Sequence, residues 1–262
     1  MPTALITGAS AGIGAAFAEE LAVRGYNLVL VARSQDKLQQ LAHALKTQHR
    51  IQVDIIVQDL TEPTAGAIVF EQVQQQGITI DLLINNAGIG DYGDFAESDR
   101  EFQLKIIQLN ILALVDLTHR FLQPMRQRRS GSIINLCSVA AFQTMPYFSI
   151  YAATKAFVLS FSEAIWAENQ KYNVHVLAVC PGATGQAFFQ QAGFPMVLVD
   201  AVPFVDTTVT TVVSDTLDAL EKRRSIVIPG NPANHVLAAI PRVLPHEAIA
   251  GLWKTILGIG RS

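Results

Sequence analysis

The stretch that decides the fold lies near the start of the chain and reads Thr3-Ala4-Leu5-Ile6-Thr7-Gly8-Ala9-Ser10-Ala11-Gly12-Ile13-Gly14. A short apolar run ends in a turn with three glycines, and a segment with helical spacing follows. Glycines between a strand and a helix allow a tight turn and let backbone N–H groups approach a pyrophosphate. The spacing is G-x-x-x-G-x-G rather than the commoner G-x-G-x-x-G, and such glycines can also serve the turn geometry alone. The position of this turn, after the first strand of an α/β pattern, favours nucleotide binding.

Apolar runs of the same kind recur along the chain and predict further strands. The predicted strands are 3–7, 27–32, 51–57, 81–85, 132–136, 174–179 and 225–228. Helical spacing between them predicts helices at 15–24, 36–48 and 70–76, and one from a Ser98–Glu101 capping box toward Arg129. Nearly continuous apolar runs are typical of strands buried on both faces. We therefore predict one α/β domain over residues 1–262, a doubly wound parallel sheet with helices on both faces.

Composition narrows the range of partners. The chain has 262 residues, of which 50% are hydrophobic and 16% charged, with a formal net charge of −3. This balance lacks the basic excess of a nucleic-acid-binding protein, so no nucleic-acid partner is expected. No apolar window of about eighteen residues is present, so no transmembrane segment is predicted. The six histidines show no metal-binding spacing, so no metal is expected.

The cellular setting is inferred from the N-terminus and the cysteines. The N-terminus lacks the basic region of a signal peptide. Cys137 and Cys180 both lie in apolar, strand-like surroundings, which argues against a secreted disulfide scaffold. We therefore expect a cytoplasmic protein.

The end of the second predicted strand bears on the choice of dinucleotide. An acidic residue there accepts hydrogen bonds from the ribose 2′-OH of NAD, whereas arginine can hold the 2′-phosphate of NADP. Arg33, Ser34, Asp36 and Lys37 all lie at this point. Asp36 has the spacing of the NAD rule, but Ser34 has the character of a helix N-cap, which places Asp36 in a first turn where the helix dipole favours any carboxylate. Since Arg33 is nearer the strand end, NADP is predicted over NAD.

Tyr151 and Lys155 lie one helical turn apart in a long predicted helix and therefore share a face. A positive charge near a phenol stabilises the phenolate and lowers the tyrosine pKa, as a general acid/base requires. Ser138 follows the predicted strand 132–136 and could hydrogen-bond a substrate carbonyl oxygen. Taken singly, a Tyr-x-x-x-Lys pair is common on surfaces, and a serine at this place is usually a cap or turn residue.

Together, these motifs resemble the short-chain dehydrogenase/reductase family up to about residue 190. The residues that carry the resemblance are T-G-x-x-x-G-x-G at 7–14, Asn85-Asn86-Ala87-Gly88, Asn110, Ser138, Tyr151, Lys155 and Pro181-Gly182. The resemblance implies a Rossmann-like fold and hydride transfer between NAD(P) and a carbonyl or alcohol. It also implies assembly as a homo-oligomer.

The resemblance implies a role for each catalytic residue. Tyr151 would be the acid/base, and Ser138 would position and polarise the substrate oxygen. Lys155 would bind the nicotinamide ribose and lower the tyrosine pKa, and Asn110 would hold a water that links Lys155 to solvent.

The glycine turn, the strand ends and the resemblance together predict a set of cofactor-binding residues. These are Gly8, Ser10, Gly12, Ile13, Gly14, Arg33, Asp59, Leu60, Asn86, Ala87, Gly88, Tyr151, Lys155, Pro181, Gly182 and Thr184. Family members often have a threonine in contact with the nicotinamide amide where this chain has Gln186, and Thr184 is an alternative donor.

Two hydrophobic regions remain, which we name the substrate-side insert (residues 183–205) and the C-terminal extension (residues 229–262). The insert carries Phe188, Phe189, Phe194 and Met196 and is predicted to act as a lid. With the stretch 140–148, which likewise has few ionisable groups, it predicts a hydrophobic carbonyl or alcohol substrate, although aromatics here could also serve packing alone. The extension is compatible with a flap over the substrate, a subunit contact or a membrane-surface contact.

The predicted function is that of an NADP-dependent oxidoreductase acting on a hydrophobic carbonyl or alcohol. The alternative is a catalytically silent Rossmann protein that binds nucleotide as a sensor or scaffold. The sequence retains all four catalytic residue types, which favours the enzyme.

Overall fold

The computed structural model describes residues 1–195, 198 and 207–258. Met196, the other undescribed residues of the substrate-side insert and the end of the C-terminal extension lie outside the described residues. The predicted contribution of Met196 to the substrate region therefore stays a prediction.

The described residues form one parallel sheet with strands at the predicted places. The strands are β1 Thr3–Thr7, β2 Asn27–Ala32, β3 Val53–Val57, β4 Leu82–Asn85, β5 Gly131–Leu136, β6 Val174–Val179 and β7 Ile226–Val227. Their order in the sheet is β3-β2-β1-β4-β5-β6-β7. The order reverses between β1 and β4, and in open α/β sheets a ligand crevice lies at the carboxyl ends of the strands at such a point.

Helices cover both faces of the sheet. They are α1 Gly12–Val23, α2 Gln35–Gln48, α3 Ala65–Gln75, α4 Arg100–Ile107, α5 Leu114–Arg128, α6 Ser149–Asn169, α7 Gln186–Gln191, α8 Val209–Glu221, α9 Pro232–Ala239 and α10 His246–Leu257. On β1, Ala4 and Ile6 pack against α1, α2 and α8, whereas Leu5 packs on the opposite face with α3, α5 and α6. Because successive strand residues point to opposite faces, both faces are buried, and the predicted doubly wound single domain is confirmed.

The helix predicted from Ser98 toward Arg129 differs in two respects from the structure. Asp99 is the N-cap, and its carboxylate accepts hydrogen bonds from the N–H groups of Glu101 and Phe102 at 2.8 and 3.2 Å. The Ser98–Glu101 capping box is therefore wrong, because the Ser98 hydroxyl instead donates to the carbonyl of Phe95. In addition, a π-helical segment, Gln108–Ala113, separates α4 from α5.

The C-terminal part of the chain returns to the carboxyl ends of the strands. Ile249, Trp253 and Leu257 of α10 are buried in one cluster with Phe148 and Tyr151. The substrate-side insert is also more regular than expected, since it contains α7. None of the helices in the described residues is both long and apolar enough to span a membrane.

The core of the sheet contains a titratable group that should make folding stability depend on pH. His175 on β6 is buried, and its Nε2 atom has no hydrogen-bond partner among the described residues. Burial and, to a lesser extent, the nearby Arg223 lower the pKa of His175 to about 4. The unfolded chain therefore binds a proton near pH 6.5 that the folded chain does not bind until about pH 4.

We predict that stability is full above pH 6.5 and falls as the pH approaches 4, by about 3 kcal/mol in total from His175 alone. Urea unfolding across this range should show a weaker pH dependence for His175→Gln than for the wild type. The exposed His119→Gln is the matched control. An unchanged pH dependence in His175→Gln would contradict this assignment.

Candidate active site

One cavity of about 460 Å³ runs along the carboxyl ends of the central strands. Its wall begins at the glycine turn after β1, passes Ser138, Tyr151 and Lys155, and ends among aromatic side chains of the insert and the extension. Fifteen of the sixteen predicted cofactor-binding residues, and three of the four predicted catalytic residues, line this one continuous space.

The glycine turn fits the pyrophosphate of a dinucleotide. Gly8 has a φ of +65°, and a Cβ there would lie 2.9 Å from Asn86 Nδ2. The N-cap of α1, Ala11, provides no side-chain cap, so the first N–H groups of the helix can serve an anion. Gly8, Ser10, Gly12 and Ile13 line the cavity.

Gly14 does not line the cavity, so its predicted contact with the cofactor stays a prediction. A Cβ on Gly14 would lie 2.4 Å from the carbonyl oxygen of Gly8. The glycine therefore permits the close packing of α1 on the turn.

Thr7 joins the turn after β1 to the loop after β4. Its hydroxyl donates to Ile84 O and accepts from the N–H groups of Asn86 and Ala87 at 2.9 and 3.0 Å. The Asn86 amide donates back to Thr7 O at 2.9 Å. Asn86, Ala87 and Gly88 line the cavity as predicted, and the Asn86 side chain also holds the two loops together.

The outer end of the cavity carries the residues expected to distinguish the two dinucleotides. Arg33 and Lys37 line it together with Asp59 and Leu60, whereas Asp36 lies in the first turn of α2 and is not among the lining residues. Arg33 is largely exposed and lies 3.9 Å from Asp59, a distance that leaves its guanidinium free to meet an anion. Ser34 is the N-cap of α2, as predicted, although its side chain makes no capping hydrogen bond.

Ser138 and Tyr151 are brought together at the centre of the cavity. Ser138 follows β5 and caps a short 3-10 helix, Val139–Phe142, where its hydroxyl accepts from Ala140 N–H at 3.1 Å. Tyr151 lies in the first turn of α6, stacked on Phe148 with ring centroids 4.3 Å apart. Burial raises the pKa of Tyr151 above its ordinary value, and a hydrogen bond with Ser138 partly opposes this effect.

Lys155 lies on the same face of α6 as Tyr151. Its ammonium is 5.5 Å from the centroid of the tyrosine ring and donates to Leu136 O at 2.8 Å. Burial lowers the pKa of Lys155 itself. Because burial outweighs other influences on the phenol in this structure, the lowering of the tyrosine pKa by Lys155 stays a prediction.

Asn110 lies in the π-helical segment and is buried behind the cavity wall. Its side chain accepts from Ile89 N–H and donates to Ile89 O, at 3.0 and 2.9 Å, and it also donates to Thr154 Oγ1 at 3.1 Å. Asn110 therefore fixes the loop after β4 against α6. The water predicted to link Lys155 to solvent stays a prediction.

Pro181, Gly182 and Thr184 line the cavity after β6, as predicted. Thr184 is not available as the donor suggested in place of the missing threonine, because its hydroxyl donates to Gly182 O at 3.0 Å. Its oxygen can still accept. Gln186, at the start of α7, is exposed and is not a lining residue.

The chain also matches known proteins. A family model described as short chain dehydrogenase matches residues 2–193. The chain belongs to this family. Its members are oxidoreductases that use a nicotinamide cofactor, and the comparisons give no support to the silent sensor or scaffold.

Three relatives are informative. A short-chain dehydrogenase from Sphingobium yanoikuyae in complex with NADPH has 35% identity and a TM-score of 0.83, over 99% of this chain and 96% of that one. The bulky-bulky ketone specific alcohol dehydrogenase from Comamonas testosteroni has 32% identity and a TM-score of 0.78, over 94% and 95%. A very-long-chain 3-oxoacyl-CoA reductase from Anas platyrhynchos is 34% identical over 185 residues, which are 68% of this chain but 58% of the length of that relative.

The substrate half of this short-chain dehydrogenase is aromatic. Phe188, Phe189 and Phe194 of the insert contact one another edge-on, with ring centroids 5.5 and 5.3 Å apart in successive pairs. Phe188 also lies 5.4 Å from the ring of Tyr151. Phe188 therefore lies beside the predicted acid/base, and all three phenylalanines line the cavity.

Sequence reasoning missed several lining residues that are distant in the chain. These are Ile89, Leu109, Asn234, Leu237, Trp253 and Leu257. Four of them belong to the C-terminal extension, for which a flap over the substrate was one of three open alternatives. The prolines at 241 and 245 indicated short segments in this extension, but nothing in its spacing indicated which face would meet the cavity.

We predict that Tyr151→Phe lowers kcat/KM by roughly 100- to 10,000-fold, because it removes the phenolic proton while keeping the stacked ring. Binding of NADPH, measured by fluorescence, should weaken far less than kcat/KM falls, because the other predicted cofactor-binding residues are unchanged. Phe161→Tyr, elsewhere on α6, is a control that adds a hydroxyl. Activity retained in Tyr151→Phe would exclude this tyrosine as the acid/base.

Proposed function

We propose that the protein interconverts bulky, uncharged ketones and their secondary alcohols with NADP as the cofactor. The observation that carries the proposal is the uncharged aromatic cavity adjoining Ser138 and Tyr151. Among the described lining residues, the charged side chains are Arg33, Lys37 and Asp59 at the outer end and Lys155 at the centre. Among the residues that the structure describes, the substrate half therefore offers no cation to pair with a carboxylate or phosphate.

The relatives offer support and one alternative. The Comamonas enzyme is named for bulky ketones and matches nearly the whole of this chain. The Anas platyrhynchos relative is a 3-oxoacyl-CoA reductase, which would make the substrate a long acyl thioester. A coenzyme A group carries phosphates, so the neutral lining favours the ketone.

In this proposal, the bound nicotinamide supplies or accepts the hydride. Ser138 donates a hydrogen bond to the substrate oxygen and holds it near the Tyr151 phenol. The phenol of Tyr151 is protonated at neutral pH, and burial raises its pKa further, so that the phenol can give its proton to that oxygen during reduction. Lys155, whose ammonium donates one hydrogen bond to Leu136 O, would use its remaining N–H groups to hold the cofactor ribose.

We predict that this protein reduces bulky aryl and alicyclic ketones with higher kcat/KM than small charged keto acids. The physical reason is that a charged substrate would lose its hydration in the aromatic half of the cavity without gaining a partner. Consumption of NADPH, followed by absorbance with a substrate panel including a 3-oxoacyl-CoA, checks this. A preference for keto acids would overturn the substrate class, and a preference for the thioester would favour the alternative.

The choice of NADP rests on Arg33 and Lys37. We predict that Arg33→Ala weakens NADPH binding about tenfold and leaves NADH binding nearly unchanged, since the guanidinium can pair with the 2′-phosphate. Titration of each cofactor against protein fluorescence checks this. Arg50→Ala, at an exposed position away from the cavity, is the control. Equal losses for both cofactors would contradict the assignment.

Two further features belong to the same proposal. Assembly as a homo-oligomer is proposed from the family resemblance, and sedimentation at several protein concentrations tests it. A cytoplasmic location is proposed from the sequence, and fractionation of cells that express the full chain tests it.

A further inference from the structure

Gln143 lines the cavity but belongs to neither the catalytic nor the cofactor-binding residues. It follows the short 3-10 helix that Ser138 caps, and its N–H donates to Ala140 O. The residue is only 8% exposed and lines the cavity. A buried amide in an aromatic cavity is costly unless its polar atoms are paired, so its partners are informative.

Both ends of the Gln143 amide bind the C-terminal extension. Its Oε1 accepts a hydrogen bond from Trp253 Nε1 of α10 at 3.1 Å, and its Nε2 donates to Leu237 O of α9 at 2.5 Å. Leu237 and Trp253 lie 94 and 110 positions after Gln143 in the chain, and all three residues line the cavity. We name this pair of bonds the Gln143 clasp.

The clasp lies where the substrate wall is assembled from two parts of the chain. Trp253 and Leu257 of α10 pack with Phe148, Tyr151 and Phe194 in one buried cluster. Tyr92 adds a second attachment, because its hydroxyl donates to Leu257 O. The extension is therefore bound to the catalytic side of the cavity by directional bonds as well as by apolar packing.

From this geometry we infer that Gln143 is a positioning residue that sets substrate size by holding α9 and α10 against the cavity. The inference rests on the proposed function for the substrate class. With the clasp formed, Leu237, Trp253 and Leu257 form a fixed apolar part of the cavity wall, packed in one cluster with the aromatics of the insert. Without it, Trp253 Nε1–H and Leu237 O lose their partners and must reach water, which moves the wall outward.

The clasp should affect which ketones bind well and should not affect the hydride-transfer step itself. A fixed wall contributes binding energy only to a substrate long enough to touch it, whereas a small ketone reacts at Ser138 and Tyr151 without reaching it. Loss of the clasp should therefore raise KM for bulky ketones and leave the reaction of a small ketone nearly unchanged.

The test uses Gln143→Leu, which keeps the side-chain size and removes both bonds, and Trp253→Phe, which keeps an aromatic ring and removes the donor. We expect KM for a bulky ketone to rise about tenfold in Gln143→Leu, with kcat and the kinetics of a small neutral ketone changed less than twofold.

Trp253→Phe should raise KM for the bulky ketone by a smaller factor. The double variant should fall short of the sum, because both changes remove one shared bond. Gln76→Leu, at the exposed end of α3, is the matched control.

A second readout does not depend on turnover. The chain has two tryptophans, so Trp166→Phe leaves Trp253 as the reporter. In that background, Gln143→Leu should make Trp253 fluorescence several-fold more accessible to acrylamide, while Gln76→Leu should not. Unchanged quenching together with an unchanged ratio of bulky to small ketone kinetics overturns the inference. If no ketone is reduced by the wild type, the proposed function fails, but the quenching comparison still decides whether Gln143 holds the wall.

Discussion

The site depends on the hydrogen bonds that Thr7 makes across the point where the strand order reverses. The Thr7 hydroxyl holds the glycine turn after β1 to the loop after β4, and the side-chain amide of Asn86 donates a hydrogen bond to Thr7 O. The same loop is then held by Asn110 at Ile89. Because β1 and β4 are neighbours in the sheet, the loops that follow them can bind each other directly. These mutual hydrogen bonds fix the part of the cavity wall that faces the cofactor.

The catalytic group extends this arrangement to the next strand and helix. Ser138 is placed by the end of β5, and Tyr151 and Lys155 by one face of α6. Lys155 donates to the carbonyl of Leu136 at the end of β5, so the helix is bound directly to the strand that leads to the serine. Burial raises the pKa of Tyr151 and so adds to the preference of the phenol for its protonated form.

The sequence predicted the features that depend on residues close together in the chain. Strand positions followed from apolar runs, and the glycine turn, Ser138 and the Tyr151–Lys155 pair followed from short motifs. Predictions that depended on atomic detail were less accurate: Asp99 rather than Ser98 caps α4, and the Thr184 hydroxyl donates to Gly182 O. The part of the cavity wall formed by Trp253 and Leu257 could not be predicted, because its contacts join residues that are distant in the chain. The spacing of apolar residues within a segment does not indicate which distant segment it contacts.

The π-helical segment Gln108–Ala113 carries a consequence for evolution and engineering. A segment of this kind accommodates one residue more than a regular helix, and deleting that residue would restore standard hydrogen bonding. The deletion would also rotate everything on one side of it by about 100° relative to the other, taking Asn110 away from Ile89 and Thr154. A change that improves the helix locally would thus dismantle the loop that faces the cofactor, so selection for activity should preserve the irregular turn.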